Sequence, residues 1–369
     1  MWSLYSHGEL EQAERDVLRE ISEMRSEICW LVREPACYAG LFVLTVSAGE
    51  LFEVRGGHWR RGRHGGGENN CWRDETDVKK GRNLAARGYL AALGHMSNAF
   101  REGDFGVSPL LTANSRIVEG NPSRVGGSFR DNEIVVRDRR TLEVVHRGVE
   151  AKFVERSVST LLRYLSGGGA EPVGLRAIMG HLNLAKVHPF FDGNGRTARC
   201  LEAAVWSLDG RTPALLCWPE DGYRLDEERY YEALVDVSRP GWSPVDDCKD
   251  WVRYCLNVHF QHSSRQLHQC RGIAALVRSL TTEIDRCGLP EWLLIPLIEA
   301  SFGMEIAAGN YETRMGVSNL AVARELAFLA DTGLIEVGDE KCESTYVASD
   351  RLGRLRRDHV SEAIFESPL

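Results

Sequence analysis

The sequence predicts a mainly α-helical protein with one small β-hairpin and a mixed α+β region toward its C-terminal end. Three observations predict this class. Apolar residues recur at helical spacing over long stretches, from Leu10 to Leu31, from Leu84 to Ile117 and from Leu175 to Val205. Strand-like runs of β-branched residues are few and short, and the clearest pair lies within residues 134–154. After Gly288 the pattern changes to two apolar helices followed by two short strands.

Composition and charge narrow the class of protein. A chain of 369 residues can bury a sizeable core and hold more than one domain. The formal net charge of -8 argues against a chain-wide surface for nucleic acid or an anionic membrane. The ten cysteines include no C-x-x-C pair and the acidic start does not resemble a signal peptide, so we expect reduced thiols in a cytoplasmic protein. The longest apolar run, residues 36–48, is shorter than the about 20 residues that span a bilayer.

Residues 1–81 are predicted to form an N-terminal helical region with a Gly/Arg-rich loop. Apolar spacing predicts a helix that ends at the break before Pro35. Residues 36–54 are ambiguous, because Leu41–Val46 is strand-like while the mainly helical class would make it a helix. Residues 55–67 are rich in glycine and arginine, and we interpret them as a solvated linker rather than a nucleic-acid site.

Helical spacing returns over residues 82–119, and two short strands are predicted after it. Gly126–Arg130 reads Gly-Gly-Ser-Phe-Arg and precedes the β-branched run Ile134–Val136. Residues 142–154 then alternate in a second strand-like segment. These two segments are candidates for short strands.

The stretch His188–Arg199, which reads HPFFDGNGRTAR, carries most of the chemistry in the chain. Helical spacing runs before and after it, while Gly193 and Gly195 disfavour a helix interior, so we predict a helix–loop–helix whose second helix begins near Gly195. Free N–H groups at a helix N-terminus, approached through glycines, bind phosphate. Arg196 and Arg199 are three residues apart and add two guanidinium groups on one helix face.

The same stretch supplies an acid–base group and a metal ligand. His188 is the one group there that accepts a proton near neutral pH without a large pKa shift. Asp192 is a single hard oxygen ligand, which suits Mg²⁺ bound together with substrate phosphates. The combination predicts nucleotidyl or phosphoryl transfer to a hydroxyl. The alternative is a buried structural histidine followed by an ordinary turn.

The stretch resembles the signature of the Fic family, His-Pro-Phe-x-Asp/Glu-Gly-Asn-Gly-Arg-x-x-Arg, and it meets every specified position. Gly126–Arg130 is similar to the family's Pro-Gly-x-Phe-Arg element, with Gly126 where proline is usual. The resemblance covers roughly residues 82–350 and implies an all-helical Fic catalytic domain at residues 82–270. In the family the hairpin is a flap that aligns the target's backbone, and here Glu155–Arg156 replaces the Pro-Pro that often follows it.

The resemblance also implies an activity: transfer of AMP from ATP to a Ser, Thr or Tyr hydroxyl of a target protein, which would make the chain a protein adenylyltransferase. His188 would be the general base, Asp192 would hold Mg²⁺, and Asn194 would fix the loop. The nucleotide-binding set implied in this way is Gly193, Asn194, Gly195, Arg196, Arg199 and Tyr231.

Tyr231 enters this set through a weaker resemblance. Residues 227–234 are similar to the family's Arg-x-x-Tyr-Tyr-x-x-Leu helix, whose second tyrosine lies by the adenine, but Glu227 stands where arginine is usual. Tyr231 is therefore a candidate for stacking on the base. A tyrosine packed between two helices is the alternative.

Residues 271–369 resemble the winged-helix domain that often ends longer Fic proteins. The helix that begins at Ser318 would be its recognition helix, and its exposed face offers little beyond Arg324. The expected wing, residues 333–347, carries more acidic than basic groups, which argues against tight DNA binding. We therefore expect a protein-docking module or a homodimer contact rather than a DNA or membrane site.

Two further functions and one regulatory question stay open from the sequence. The chain could be a winged-helix regulator whose Fic site only senses a nucleotide, or it could transfer phosphocholine or phosphate as some family members do. Many Fic proteins carry an inhibitory Ser/Thr-x-x-x-Glu-Gly/Asn helix, and Ser115–Gly120 fits that pattern, as does Glu68 in part. Glu119 lies in an ordinary core helix of the family and Glu68 follows three glycines, so we expect that neither is the inhibitor.

Overall fold

The computed structural model describes most of the chain, and the bounds below are those of its helices and strands. The described residues are 3–47, 75–119, 126–137, 141–167, 171–210, 212–217, 222–223, 226–237, 242–244, 247–307, 309–311, 316, 318–338, 345–361 and 363–369, without the side chains of 43–47, 75–86 and 319. The helices are α1 Gln12–Leu31, α2 Pro35–Ser47, α3 Glu75–Arg101, α4 Val107–Val118, α5 Val154–Ser166, α6 Val173–Val187, α7 Asn194–Trp206, α8 Glu227–Asp236, α9 Lys249–Cys287, α10 Leu294–Ser301, α11 Asn319–Asp331 and α12 Asp350–His359. The strands are β1 Val135–Arg137, β2 Val144–Arg147, β3 Ile306–Ala307, β4 Ile335–Val337 and β5 Thr345–Ala348.

The mainly α-helical class is confirmed, because helices dominate the described residues and the strands form only a two-stranded and a three-stranded sheet. The ambiguous stretch after Pro35 is the helix α2. Pro35 occupies its first position, where the missing N–H group is not needed. The helix packs closely against its neighbours: a side chain at position 40 in place of Gly40 would put its Cβ 2.9 Å from side-chain carbons of Ile273 and Ile298. Packing therefore overrides the strand propensity of its β-branched residues.

The chain divides into two compact units. The first comprises Met1–Ser22, Leu51–His262 and Ser367–Leu369, and the second comprises Glu23–Glu50 and Ser263–Glu366. The boundaries fall within α1 and within α9. The predicted organisation into segments 1–81, 82–270 and 271–369 stays a prediction, because the Gly/Arg-rich loop of the first segment lies outside the described residues.

Helices α6 and α7 form the centre of the first unit, and α3, α4 and α5 pack around them. Their contact is tight: a Cβ on Gly174 would lie 2.6 Å from the Cζ2 atom of Trp206. The apolar side chains between them are fully buried. The loop between α6 and α7, which carries the predicted active-site stretch, is therefore held at both ends by rigid helices.

An N-terminal segment is also fastened to α6. The Asn183 side chain, which is fully buried, accepts a hydrogen bond from the Tyr5 N–H at 2.9 Å and donates one to the Tyr5 carbonyl at 3.1 Å. The Tyr5 hydroxyl accepts from the Ser243 N–H at 2.8 Å. Residues near Tyr5 thus belong to the core of the first unit.

The second unit contains the three-stranded antiparallel sheet, in the order β3-β5-β4. Strands β4 and β5 lie where the sequence predicts the wing, but residues 339–344, which hold the predicted acidic groups, lie outside the described residues, and the winged-helix assignment stays a prediction. Pro296 lies in the first turn of α10, where no N–H donor is required.

Within the described residues, no helix combines the length and the apolar character that crossing a membrane requires. No disulfide joins any of the cysteines that the structure describes.

Candidate active site

Helix α6 ends at His188, which adopts a left-handed conformation with φ 51° and ψ 58°. Such a conformation is uncommon for a residue other than glycine and is a form of strain found at functional sites. The Nδ1 atom of His188 lies 3.3 Å from the carbonyl oxygen of Ala185. A carbonyl oxygen can only accept, so this contact places the ring proton on Nδ1. In this tautomer Nε2 carries the lone pair and is the basic atom of the neutral imidazole.

The last carbonyl groups of α6 are capped by side chains of the hairpin segment. Arg130 donates from Nε to the His188 carbonyl at 2.7 Å and from Nη2 to the Val187 carbonyl at 3.2 Å. His146 donates from Nε2 to the Lys186 carbonyl at 2.7 Å. A helix end leaves such carbonyls without intrahelical partners, so these contacts both complete α6 and fasten the hairpin to the histidine.

Both capping side chains are buried. Arg130 is 2% exposed, and burial lowers the pKa of its guanidinium from the usual value. Burial, with a smaller effect of the charges on Lys186 and His188, lowers the pKa of His146 to about 3. His146 is therefore neutral near pH 7, with its proton on Nε2.

The predicted hairpin is present as β1 and β2, which pair antiparallel with Val136 opposite His146. A bridge between Phe129 and Phe190, and a hydrogen bond from the Arg130 N–H to the Pro189 carbonyl at 2.9 Å, join the segment before β1 to the loop after His188. The residues that replace the family's Pro-Pro lie in the first turn of α5.

The loop after His188 is closed by Asn194. Its Oδ1 accepts from the Phe190 N–H and its Nδ2 donates to the Phe190 carbonyl, both at 2.8 Å. These two bonds close the loop on itself, while the predicted role of Asn194 toward a nucleotide stays a prediction. Asp192 Oδ1 accepts from the Gly193 N–H at 2.6 Å, which sets the orientation of the carboxylate.

Glycine is required at position 193. Gly193 has a φ of 79°, and a Cβ there would lie 2.9 Å from Val118 Cγ1 and 3.0 Å from Asn114 Nδ2. Helix α7 begins at Asn194, one residue before the predicted start near Gly195. The N–H groups of its first turn have no intrahelical acceptor and carry the positive end of the helix dipole, so this end of α7 suits an anion.

The two arginines of the stretch have different surroundings. The Nη1 atom of Arg196 donates to the Ile117 carbonyl at the end of α4, at 2.7 Å. A Cβ on Gly195 would lie 3.5 Å from Nη1 of Arg199, so the Arg199 guanidinium lies over the first turn of α7. Both side chains are half-buried. Their assignment to the β- and γ-phosphates stays a prediction.

Asn114, on α4, contacts three parts of the site and was not identified from the sequence. Its Nδ2 donates to the Asp192 carbonyl at 2.9 Å and to Thr197 Oγ1 at 3.2 Å, and its Oδ1 accepts from the Gly127 N–H at 3.0 Å. The side chain is fully buried. Nothing local in the sequence reveals this role, because Asn114 precedes Asp192 by 78 residues.

Of the predicted adenine and inhibitor residues, the structure describes Tyr231 and Glu119. Tyr231 is half-buried on α8, with its ring 5.1 Å from that of Tyr230. Glu119 caps the C-terminus of α4 and is exposed. Glu68 lies outside the described residues. The roles of all three stay predictions.

A buried polar centre lies on α7, one turn beyond Arg199. The carboxylate of Glu202, which is fully buried, accepts from His181 Nδ1 at 2.9 Å, from His259 Nε2 at 2.8 Å and from the Tyr223 hydroxyl at 2.9 Å. His181 Nε2 lies 2.9 Å from the Tyr230 hydroxyl. Hydrogen bonds through this centre therefore join α6, α7, α8 and α9.

The fold and the site together define a Fic-type domain. Residues 106–205 match the family model described as the Fic/DOC family, so the chain carries a Fic/DOC-family domain. That match covers the hairpin, His188 and all of α7 except its last residue. Domains of this family are typically transferases that use nucleotides, which supports transfer of a phosphate-containing group.

Solved structures similar to this chain include other Fic proteins. A Fic family protein from Desulfovibrio desulfuricans G20 is 16% identical, with a TM-score of 0.49 over 95% of this chain and 99% of that one. A Fic domain containing signaling protein from Bacteroides thetaiotaomicron is 15% identical, with a TM-score of 0.46 over 71% and 97%. Fic-1 from C. elegans is 16% identical, with a TM-score of 0.44 over 72% and 73%.

Proposed function

We propose that this protein transfers AMP from ATP to a hydroxyl side chain of a target protein. The observation that carries the proposal is the orientation of His188. Its Nδ1 lies against the Ala185 carbonyl, so Nε2 is the basic atom, and His188 lies six residues before the start of α7, an end of a helix that suits an anion. A base next to a phosphate site is the arrangement that transfer to a hydroxyl requires.

In this proposal His188 Nε2 takes the proton of a Ser, Thr or Tyr hydroxyl as its oxygen attacks the α-phosphorus of ATP. The new oxygen–phosphorus bond forms, the bond to the β-phosphate oxygen breaks, and pyrophosphate leaves. The first turn of α7, with Gly193, Asn194 and Gly195, would hold the phosphates. Arg199, and Arg196 after exchange of its bond to α4, would neutralise the leaving group.

Asp192 fits Mg²⁺. The ion commonly takes one or two carboxylates together with phosphate oxygens and waters, and no cluster of three His, Cys, Asp or Glu side chains suited to a metal occurs among the described residues. Asp192 would therefore be the protein ligand, oriented by its bond to Gly193. When bound, the ion would offset negative charge on the transferred and leaving phosphates.

In this proposal the hairpin holds the target protein and Tyr231 holds the adenine of ATP. The hairpin β1–β2, which Arg130 and His146 fasten to α6, would align the target's backbone so that its hydroxyl meets His188. Tyr231 would stack on the adenine.

Labelled ATP tests the proposal directly. The purified protein is incubated with candidate target proteins and ATP labelled at either the α- or the γ-phosphate, and the mass added to the labelled protein is measured. We expect label from the α-phosphate and the mass of AMP. Label from the γ-phosphate alone would assign phosphate transfer, and salt-sensitive DNA retention without label would favour the regulator. A phosphocholine mass, added in a parallel incubation with a choline-bearing nucleotide in place of ATP, would assign that group.

Asp192→Ala is expected to remove both activity and the response to Mg²⁺, because the described loop offers no other carboxylate. Asp192→Asn is the matched control for geometry, since its amide oxygen can still accept from the Gly193 N–H while the negative charge is lost. Both variants should behave alike in a Mg²⁺ titration of transfer. A titration curve equal to that of wild type in either variant would place the ion elsewhere.

Asn114→Ala is expected to weaken Mg²⁺-dependent transfer as well as stability. It removes one buried hydrogen bond, to Thr197 Oγ1, and two part-buried ones, to the Asp192 carbonyl and from the Gly127 N–H. Loss of a buried partner typically costs about 1–3 kcal/mol, and the change also releases the peptide that carries Asp192. The measurements are a urea melt and a Mg²⁺ titration at a temperature where the variant is folded. Asn114→Asp, which keeps the acceptor for Gly127 and loses the donors to Asp192 and Thr197, separates the two effects. A wild-type Mg²⁺ response in both variants would reduce Asn114 to a packing role.

A further inference from the structure

We propose that two copies of this chain associate through the exposed face of helix α11. Leu320 on this helix is 83% exposed and Phe328 is 50% exposed. The opposite face is fully buried through Val322, Leu326 and Leu329. The exposed face, called the α11 face below, consists of Leu320, Ala323, Arg324, Ala327, Phe328 and Asp331.

The α11 face is more apolar than an ordinary solvated helix face. Four of its six side chains are apolar, although an exposed helix face is usually charged and polar. Among the described residues, every large hydrophobic side chain that is exposed lies in the second unit, apart from Leu142. Exposed apolar surface of this kind marks interaction sites, so the second unit is where an interface is expected.

The charges on the α11 face make it complementary to itself. Arg324 and Asp331 are seven residues apart, so they lie on the same side of the helix about two turns from each other. In an antiparallel pair of α11 helices, with a two-fold axis between Ala327 and Phe328, each Arg324 lies opposite the Asp331 of the other copy. Such self-complementarity is the property that a two-fold interface requires. The partner implied by this pattern is a second copy of the chain.

Side-chain size favours the same arrangement. Ala327 lies next to the axis and Ala323 lies one turn before it, so the two helix backbones can approach closely, while Leu320 and Phe328 supply apolar area on either side. Arg324 already donates from Nη2 to Glu325 at 2.6 Å. A guanidinium has five N–H donors, so this bond leaves donors for Asp331 of the other copy.

A DNA backbone is a poorer partner for the α11 face. The α11 face presents a single arginine and a single aspartate, and so has no net positive charge. Contacts with phosphate groups, which need positive charge, dominate affinity for DNA. DNA is therefore treated as an alternative outcome of the test.

Sedimentation of the full chain over a range of concentrations tests the proposal. We expect a dimer for wild type. Ala327→Glu, which brings two carboxylates together at the axis, should give a monomer. Arg324→Asp and Asp331→Arg should each weaken the dimer by about tenfold or more, because both copies then carry like charges opposite each other. The double variant, which carries both Arg324→Asp and Asp331→Arg, should restore the dimer, because each charge again lies opposite an unlike charge of the other copy.

Arg354→Asp is the matched control, since it makes the same change at an exposed position of α12 outside the α11 face. It should leave the dimer unchanged, and circular dichroism melts establish that every variant is folded. A monomeric wild type, a dimer that survives Ala327→Glu, or a double variant that stays as weak as the single ones would each overturn the proposal. So would DNA retention by a monomer that is lost in Arg324→Asp.

Discussion

Replacing His188 with alanine is expected to lower the rate of AMP transfer by a factor of about 10²–10⁴, the usual loss when a general base is removed. No other side chain of the active-site stretch accepts a proton near neutral pH. Affinity for ATP should change little, since the groups proposed to hold the phosphates follow His188 in the chain. The measurements are the initial rate of transfer from α-labelled ATP and calorimetric binding of ATP.

His268→Ala serves as the control, because it removes a histidine of the second unit that bonds to Ser361. It should keep the wild-type rate. A His188→Ala variant that transfers AMP at close to the wild-type rate would remove the base from the mechanism. A variant that is folded but no longer binds ATP would assign His188 to binding instead.

Replacing Glu202 with alanine is expected to destabilise the first unit by about 3–5 kcal/mol, the usual loss when one partner of a buried ionic group is removed. The change leaves His181, His259 and Tyr223 without their shared acceptor inside the protein. Urea unfolding measures the loss. Glu232→Ala is the matched surface control on α8, where a loss within about 0.5 kcal/mol is typical. Equal losses in the two variants would mean that the buried centre contributes nothing special to stability.

The same centre predicts a dependence of stability on pH. Burial alone would raise the pKa of Glu202, but His181 and His259 outweigh it and lower the pKa to about 2, from an ordinary value of 4.5. A carboxyl group whose pKa is lower in the folded than in the unfolded protein stabilises the fold when the pH is above the unfolded-state pKa. That stabilisation is lost as the pH falls to the folded-state pKa. Wild type should therefore lose stability between about pH 4.5 and 2 more steeply than Glu202→Gln. Parallel curves would exclude Glu202 as the cause.

The sequence predicted those parts of the site that are contiguous in it. His188, Asp192 and Asn194 lie within seven residues, and the turn that joins them is set by the left-handed conformation of Gly193, which a local pattern reveals. Helix α2 was harder to predict from the sequence, because its β-branched residues favour a strand when tertiary contacts are ignored. Its packing against α10 decides the outcome, and a local pattern does not contain that information.

Contacts between distant segments could not be predicted. Asn114 and Glu202 each stand at positions that helical spacing alone marks as interior, and interior polar residues become identifiable only when their partners are known. The different surroundings of Arg196 and Arg199 have the same origin. Their spacing predicts one shared face of α7, but it does not reveal that Arg196 bonds to the Ile117 carbonyl at the end of α4.

The bond between Tyr5 and Asn183 has a consequence for the order in which the protein folds during synthesis. Tyr5 leaves the ribosome 178 residues before Asn183 and 238 residues before Ser243. At translation rates of 5–20 residues per second, the Tyr5 side chain waits roughly 10–50 s for its last partner. During that interval the ring of Tyr5 has neither Ser243 nor Trp242 to pack against. A segment that is made early is thus among the last to be fastened, and its aromatic ring stays outside the core for that interval.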